Sequence, residues 1–84
     1  MKEVEIGVVT HCFNKISVAI VELKAPLSVG DTIHIKGAHD DFTQEVSSMQ
    51  IEHQNVDSAK KGDLVGIKVS GKVHPHDKVY KVVE

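Results

Sequence analysis

The sequence predicts an all-β protein in which six short strands close into an antiparallel barrel. The hydrophobic fraction is 40% and the aromatic fraction only 4%. Val and Ile carry most of the apolar content, and such β-branched side chains favour strands. A turn that ends in aspartate also recurs before alternating apolar segments. We expect closure because a barrel removes the exposed strand edges through which chains aggregate.

The clearest strand-initiating turn lies within residues 26–37. In Gly30-Asp31, glycine can adopt a positive φ and the aspartate carboxylate can accept nearby backbone N–H groups. Two isoleucines then alternate with polar residues, as in a half-buried strand. The same device recurs at Gly62-Asp63 and at His76-Asp77. We expect these aspartates to bond the local backbone rather than to act as catalytic carboxylates. Because histidine replaces glycine, we expect the third turn to differ in backbone geometry.

The remaining strands follow from the spacing of apolar residues. Val4, Ile6 and Val8 alternate with other residues and predict a first strand with these three facing a core. The second strand is apolar on both faces, which predicts that it is the most buried element. The fourth changes parity at Ser47-Ser48, which predicts a β-bulge. A loop at residues 55–61 is expected to cover a barrel end. The predicted strands are residues 3–11, 16–23, 33–36, 42–53, 65–69 and 79–83.

Length and charge limit the classes of protein that the chain can belong to. At 84 residues we expect a single domain, residues 1–84, because so short a chain cannot supply two cores. The formal net charge of −2 argues against nucleic-acid binding by charge alone. The single Cys excludes an intramolecular disulfide and favours the reducing cytoplasm. The N-terminus lacks the apolar stretch of a secretory signal, and no apolar run is long enough to span a membrane.

Five segments carry a resemblance to a known family: Gly7-Val8-Val9, Leu27–Ile33, Ser48–Ile51, Ala59–Ile67 and Asp77-Lys78-Val79. In order and spacing they resemble the second domain of translational GTPases such as elongation factor Tu and initiation factor 2. The resemblance implies a six-stranded closed antiparallel Greek-key β-barrel of the elongation-factor domain II type. It also implies a partner such as ribosomal RNA, the end of a tRNA, or a protein that carries the missing GTPase domain. The C-terminal barrel of U32 family peptidases is similar.

The chain departs from the GTPase pattern in ways that exclude nucleotide binding. It has no glycine-rich phosphate loop ending in Lys and Ser or Thr. The segment Asn14–Ser17 begins like a guanine-binding motif but has serine where a carboxylate is required. We therefore expect no GTP and no other organic cofactor.

Two sets of side chains are candidate sites. Cys12, His74 and His76 could meet in one tetrahedral zinc site if the first and last strands pair. The alternative is a buried Cys acting as a small hydrophobe beside two exposed histidines. Four lysines could contact RNA or a partner, although scattered lysines usually serve solubility. They are Lys60, Lys61, Lys68 and Lys72.

Together these features predict a cytoplasmic, non-enzymatic binding module that resembles an elongation factor. Adjacent Cys and His side chains on a strand project to opposite faces, which is poor geometry for nucleophilic catalysis. We expect contact with RNA or with a ribosome-associated protein. A second hypothesis is an accessory protein-interaction domain for a U32 peptidase, and a third is a small zinc-binding or thiol-reactive domain.

Overall fold

The structure, a computed structural model of the chain, describes residues 2–83. These residues form ten β-strands and no helix, so the all-β prediction is confirmed. None of them belongs to a helix of the length and apolarity that a membrane crossing needs. In chain order the strands are β1 (Lys2–Phe13), β2 (Val18–Leu23), β3 (Leu27–Ser28), β4 (Thr32–Lys36), β5 (Asp41–Glu45), β6 (Met49–Ile51), β7 (Gln54–Val56), β8 (Ser58–Ala59), β9 (Leu64–Lys68) and β10 (Lys78–Val83).

Eight of the strands form one sheet in the order β5-β4-β10-β1-β2-β9-β6-β7, and β3 pairs with β8 in a second sheet. Every pairing is antiparallel. The first and last strands are neighbours, as expected. Within residues 2–83 the large sheet ends at β5 and β7 and is not closed into a barrel. The predicted six strands and the predicted closure are therefore wrong.

Four observed strands add to the predicted six. Three of them, β3, β7 and β8, lie in segments that the sequence predicted as turns or loops, and the fourth arises because the predicted fourth strand is divided into β5 and β6. β5 pairs with β4, whereas β6 pairs with β9 on the far side of the sheet. Between them the N–H of Val46 donates to the Asp31 carbonyl at 2.8 Å, and its carbonyl accepts the N–H of Gly30 at 2.9 Å. Since these backbone groups are bound to a turn, the chain leaves β4 at Val46. A crossing thus replaces the predicted bulge at Ser47-Ser48.

Strand β1 carries irregularities that the sequence pattern did not indicate. Its register shifts after Glu5 against β10 and after Val9 against β2. A bulge adds a residue and turns the next side chain to the other face. Ile6 and Val9 are consequently both buried, while Val4 is 50% exposed. Of the predicted inward set, Ile6 is therefore buried as expected, Val8 is half-buried and Val4 is exposed.

The core is one cluster of buried apolar side chains from both sheets. Alternation in β4 and β9 is as predicted, with the odd-numbered apolar residues buried. Each buried Val, Leu or Ile stabilises the fold by about 1.5–3 kcal/mol relative to an exposed one. The largest fully buried side chains are Ile6, Leu23, Leu27, Ile33, Ile35, Met49, Ile67, Val9, Val21, Val46, Val65 and Val73.

Three turns of one kind start β4, β9 and β10. In each, the aspartate carboxylate accepts the N–H of the residue three positions earlier, at 2.9 Å for Asp31, 2.9 Å for Asp63 and 3.0 Å for Asp77. The preceding residue has positive φ in all three: 97° at Gly30, 94° at Gly62 and 76° at His76. The structural role predicted for the aspartates is confirmed. The difference expected at His76 is not found, because histidine adopts the same left-handed conformation after Pro75, which suits the second position of such a turn.

Candidate functional site

An apolar groove of about 320 Å³ lies on the outer face of β2 and β9. Alternate residues of a strand face opposite sides. The odd-numbered residues of β2 are in the core, so its even-numbered residues face the groove. Gly66 stands opposite Ile20 in the pairing of β9 with β2 and lies on the same face. The apolar lining consists of Phe13, Ile16, Val18, Ile20, Leu64 and Gly66.

The groove concentrates the exposed apolar surface of the described part of the chain. Among the described residues, five large hydrophobic side chains are well exposed. Three of them line the groove: Phe13 is 50% exposed, Ile16 59% and Leu64 54%. Contiguous apolar surface of this kind marks sites of interaction. This site was not expected from the sequence, because the apolar outer face of residues 16–23 predicted a strand buried on both sides. That two-faced pattern was nevertheless the signal for it.

Two turns with unusual backbone conformation border the groove. Four non-glycine residues among 2–83 have positive φ, and three lie here: Ser17 at 57°, Glu52 at 51° and His53 at 67°. Glu52 and His53 are the two central residues of the β6–β7 hairpin, since Ile51 pairs with Gln54. A hairpin with two left-handed central residues ordinarily uses Asn-Gly. A left-handed conformation at most other residues lowers the stability of the fold by about 1–2 kcal/mol per residue. Such outliers cluster at functional sites.

A separate cluster joins Asp40, His74 and Asp77 at the third turn. One ligand atom of each lies within 4.8 Å of the others, and His74 Nδ1 is 2.6 Å from Oδ2 of Asp40. Burial, together with the neighbouring Asp40, raises the pKa of Asp77. Hydrogen bonds from Asp77 and then His74 lower the pKa of Asp40, and the bond to Asp40 raises the pKa of His74.

This cluster has the residue types of a metal site, but three of its ligand atoms are already hydrogen-bonded. Nδ1 of His74 is engaged by Asp40, and Oδ2 of Asp77 accepts the His74 backbone N–H. A metal ion bound through these atoms would have to displace these bonds. The arrangement therefore supports a hydrogen-bonded tie between the Asp40 loop and the third turn.

The structure does not bring together the predicted zinc ligands. Among residues 2–83, Cys12, His74 and His76 do not form a group with one ligand atom of each within 4.8 Å. Cys12 is half-buried and packs against the core, with Sγ 3.9 Å from Nδ2 of Asn14. His76 is exposed in its turn. Of the three, only His74 joins other candidate ligands, and those are aspartates.

The four predicted contact lysines are all exposed. Lys60 and Lys61 precede β9, Lys68 ends it, and Lys72 lies before the third turn. The Nζ of Lys68 donates to the carbonyl of Ile16 at 3.2 Å, which places it beside the groove. The lysines thus occupy separate segments, and one of them helps to hold the groove's border.

His34 forms a third polar cluster, across strands β1, β4 and β5. Its Nδ1 lies 2.8 and 2.9 Å from the two carboxylate oxygens of Glu3, and its Nε2 bonds Asp41. The hydrogen bond to Asp41 and then that to Glu3 raise the pKa of His34. This cluster was not expected from the sequence, because its members come from three strands.

Comparisons with known proteins point to peptidases. The chain is 44% identical over 84 residues to an uncharacterized protease of Methanocaldococcus jannaschii, covering 99% of this chain and 21% of that protein. It is 33% identical over 82 residues to a collagenase of Porphyromonas gingivalis, covering 95% of this chain and 20% of that protein. The chain thus spans about a fifth of the length of these relatives. No protein-family model matches it.

The fold is that of the C-terminal domain of a U32 peptidase. The crystal structure of this domain from a putative U32 peptidase of Geobacillus thermoleovorans superposes with a TM-score of 0.88 at 22% identity, covering 94% of this chain and 92% of that one. The similarity to the U32 C-terminal domain expected from the sequence is supported. The expected role in translation, with ribosome or RNA binding, is wrong, since the relatives and structural neighbours are peptidases and collagenases.

Proposed function

We propose that this chain is a non-catalytic accessory domain that binds the peptidase domain of a U32-type peptidase. The supporting observation is that nearly all of the chain, 99%, matches only 21% of a protease. The relative therefore holds this segment beside about four-fifths of further chain. We assign proteolysis to that further part and protein contact to this one.

The described site also favours binding over catalysis. Its groove has an apolar centre and polar residues at the border, which is the composition of a protein interface. The clusters around His34 and His74 hold their histidines in bonds to carboxylates. Both ring nitrogens of His34 are bonded in this way, whereas a histidine that activates a nucleophile needs a free ring nitrogen within hydrogen-bond reach of it.

A chimera tests this proposal. The matching segment of the M. jannaschii protease is replaced by this chain, and amide hydrogen exchange of the chain is compared in the chimera and alone. Contact with the rest of the protease should slow exchange by about tenfold or more over part of the chain's surface. Identical exchange throughout the chain in a folded chimera would overturn the proposal.

A further inference from the structure

Gly66 is the glycine for which the fold itself supplies no reason. A Cβ built on it would lie 3.5 Å from its nearest neighbours, side-chain carbons of Ile20 and Val18, which is ordinary contact, and its φ is not left-handed. The other glycines are constrained. Gly30 and Gly62 have positive φ. At Gly7 a Cβ would lie 2.6 Å from the Glu22 carbonyl oxygen, and at Gly37 it would overlap the Asp77 carboxylate. At Gly71 it would lie 3.3 Å from the Phe42 ring.

The missing side chain has a consequence for the groove. Glycine inside a strand lowers stability relative to alanine, so β9 is weakened at a position where alanine would fit. The space between Val18 and Ile20 stays open because Gly66 has no Cβ. Because glycine at this position lowers the stability of the fold and keeps the groove open, we infer that another group binds in the groove.

The dimensions and surroundings of the groove define the kind of occupant. A volume of about 320 Å³ is at the lower end of the range of ligand pockets, about 300–1,000 Å³, and suits an anchoring side chain. Buried apolar anchors in such pockets carry most of the energy of protein interfaces. Gln50, Glu52 and His53 supply a polar border. About four-fifths of the length of the relatives lies outside the part that this chain matches, so in the relatives a large segment of protein is available next to the matching part.

We propose that the groove over Gly66 receives a large apolar side chain from the peptidase domain of a U32-type peptidase. This inference rests on the proposed function and assigns its contact surface. Leu64 and Ile16 flank the entering side chain, and Gly66 admits it. The left-handed turn at Glu52 and His53 places the polar border against the partner.

The exchange experiment in the chimera locates the contact. Amides of residues 13–20 and 64–66 should exchange about tenfold more slowly in the chimera than in the isolated chain. Exchange rates should return towards those of the isolated chain in three variants. The return should be larger for Gly66→Val than for Gly66→Ala, because valine fills more of the groove, and Leu64→Gln should also restore the faster exchange. Val4→Gln is the matched control, because Val4 is 50% exposed, close to the 54% of Leu64, but lies outside the groove. It should leave the protection unchanged.

Each outcome has a defined meaning. Slower exchange confined to another surface, or groove variants that keep the protection, would overturn the groove assignment and leave the accessory function standing. No protection anywhere would overturn both. Urea unfolding of the isolated Gly66→Ala chain should show stability at least equal to that of the wild type, so that lost protection reports lost contact. If the isolated chain dimerises through the groove and the chimera adds no protection there, the occupant is a second copy and the assignment is wrong.

Discussion

Oδ2 of Asp77 accepts the backbone N–H of His74 at 3.0 Å, within the turn that starts β10. The same turn holds β1, because the N–H of His76 donates to the Val9 carbonyl at 2.7 Å and the N–H of Val9 donates to the Asp77 carbonyl at 2.8 Å. The turns before β4 and β9 hold Val46 and Leu23 by the same pair of bonds. Each turn thus fixes a buried residue of another segment, and local aspartates determine long-range packing.

Removal of the Asp77 carboxylate should destabilise the fold. Asp77→Ala leaves the part-buried His74 N–H without its acceptor, and we expect the free energy of unfolding to fall by about 1–3 kcal/mol. Asp77→Asn keeps an acceptor oxygen and should lose less. Urea unfolding measures both, with exposed Asp57→Ala as a control expected to change stability by less than about 0.5 kcal/mol. Equal losses for the two Asp77 variants would contradict the assigned bond.

His76→Gly should stabilise the protein. His76 has a φ of 76°, and a left-handed conformation costs a non-glycine residue about 1–2 kcal/mol. Glycine removes that cost. It also increases the conformational entropy of the unfolded chain, which lowers the free energy of unfolding by about 0.4–1 kcal/mol. The net gain in the free energy of unfolding is therefore between about 0 and 1.6 kcal/mol, and thermal or urea unfolding measures it.

The reciprocal change is the control for this prediction. Gly62→Ala introduces a Cβ at a φ of 94°, so we expect a loss of about 1–2 kcal/mol. If His76→Gly destabilises as much as Gly62→Ala, the two turns do not share a backbone geometry.

Stability should depend on pH through His34. Its bonds to Asp41 and Glu3 raise its pKa above 6.5 in the folded state, so the folded protein binds this proton more tightly than the unfolded chain. The stabilisation is fully present below pH 6.5 and is lost as pH rises through the folded pKa. The stability advantage of the wild type over His34→Gln should therefore shrink with rising pH.

Urea midpoints at several pH values on both sides of neutrality measure this advantage. His11→Gln is a suitable control, because it leaves the Glu3, His34 and Asp41 cluster intact. An NMR titration of the His34 ring should show the raised pKa directly. A wild-type advantage that stays constant across the range would contradict the prediction.

One chemical change, glycine to alanine, should have opposite effects at two positions. At Gly7 the new Cβ would lie 2.6 Å from the Glu22 carbonyl oxygen and 2.8 Å from Cγ1 of Val21, and such overpacking costs about 1–3 kcal/mol. At Gly66 there is room, and alanine should add about 0.5–1 kcal/mol. Urea unfolding of both variants checks the signs, and a destabilising Gly66→Ala would show that the fold itself requires this glycine.

Local patterns sufficed for several elements. Alternating apolar residues place β4, β9 and β10 to within a residue or two, because each strand buries one face over a short, regular stretch. The turns at Asp31, Asp63 and Asp77 were also predictable, since a carboxylate that accepts an N–H three residues earlier needs only its own segment.

Other features depend on contacts between distant segments. The division of β5 from β6 follows from the bonds of Val46 to Gly30-Asp31, and no local pattern contains that partner. The shifts in β1 arise because it must match β10 on one side and β2 on the other. The sites at His34 and His74 assemble residues from separate loops and strands for the same reason.

The sequence by itself determined that this protein is all-β, with strands begun by aspartate turns, because side-chain alternation and turn chemistry act over a few residues. Only the tertiary structure decided that the sheet stays open, that histidines pair with carboxylates, and that the outer face of β2 is an apolar groove over Gly66. Whether an apolar face is core or surface depends on which strands pack beside it, and that is a property of the whole fold.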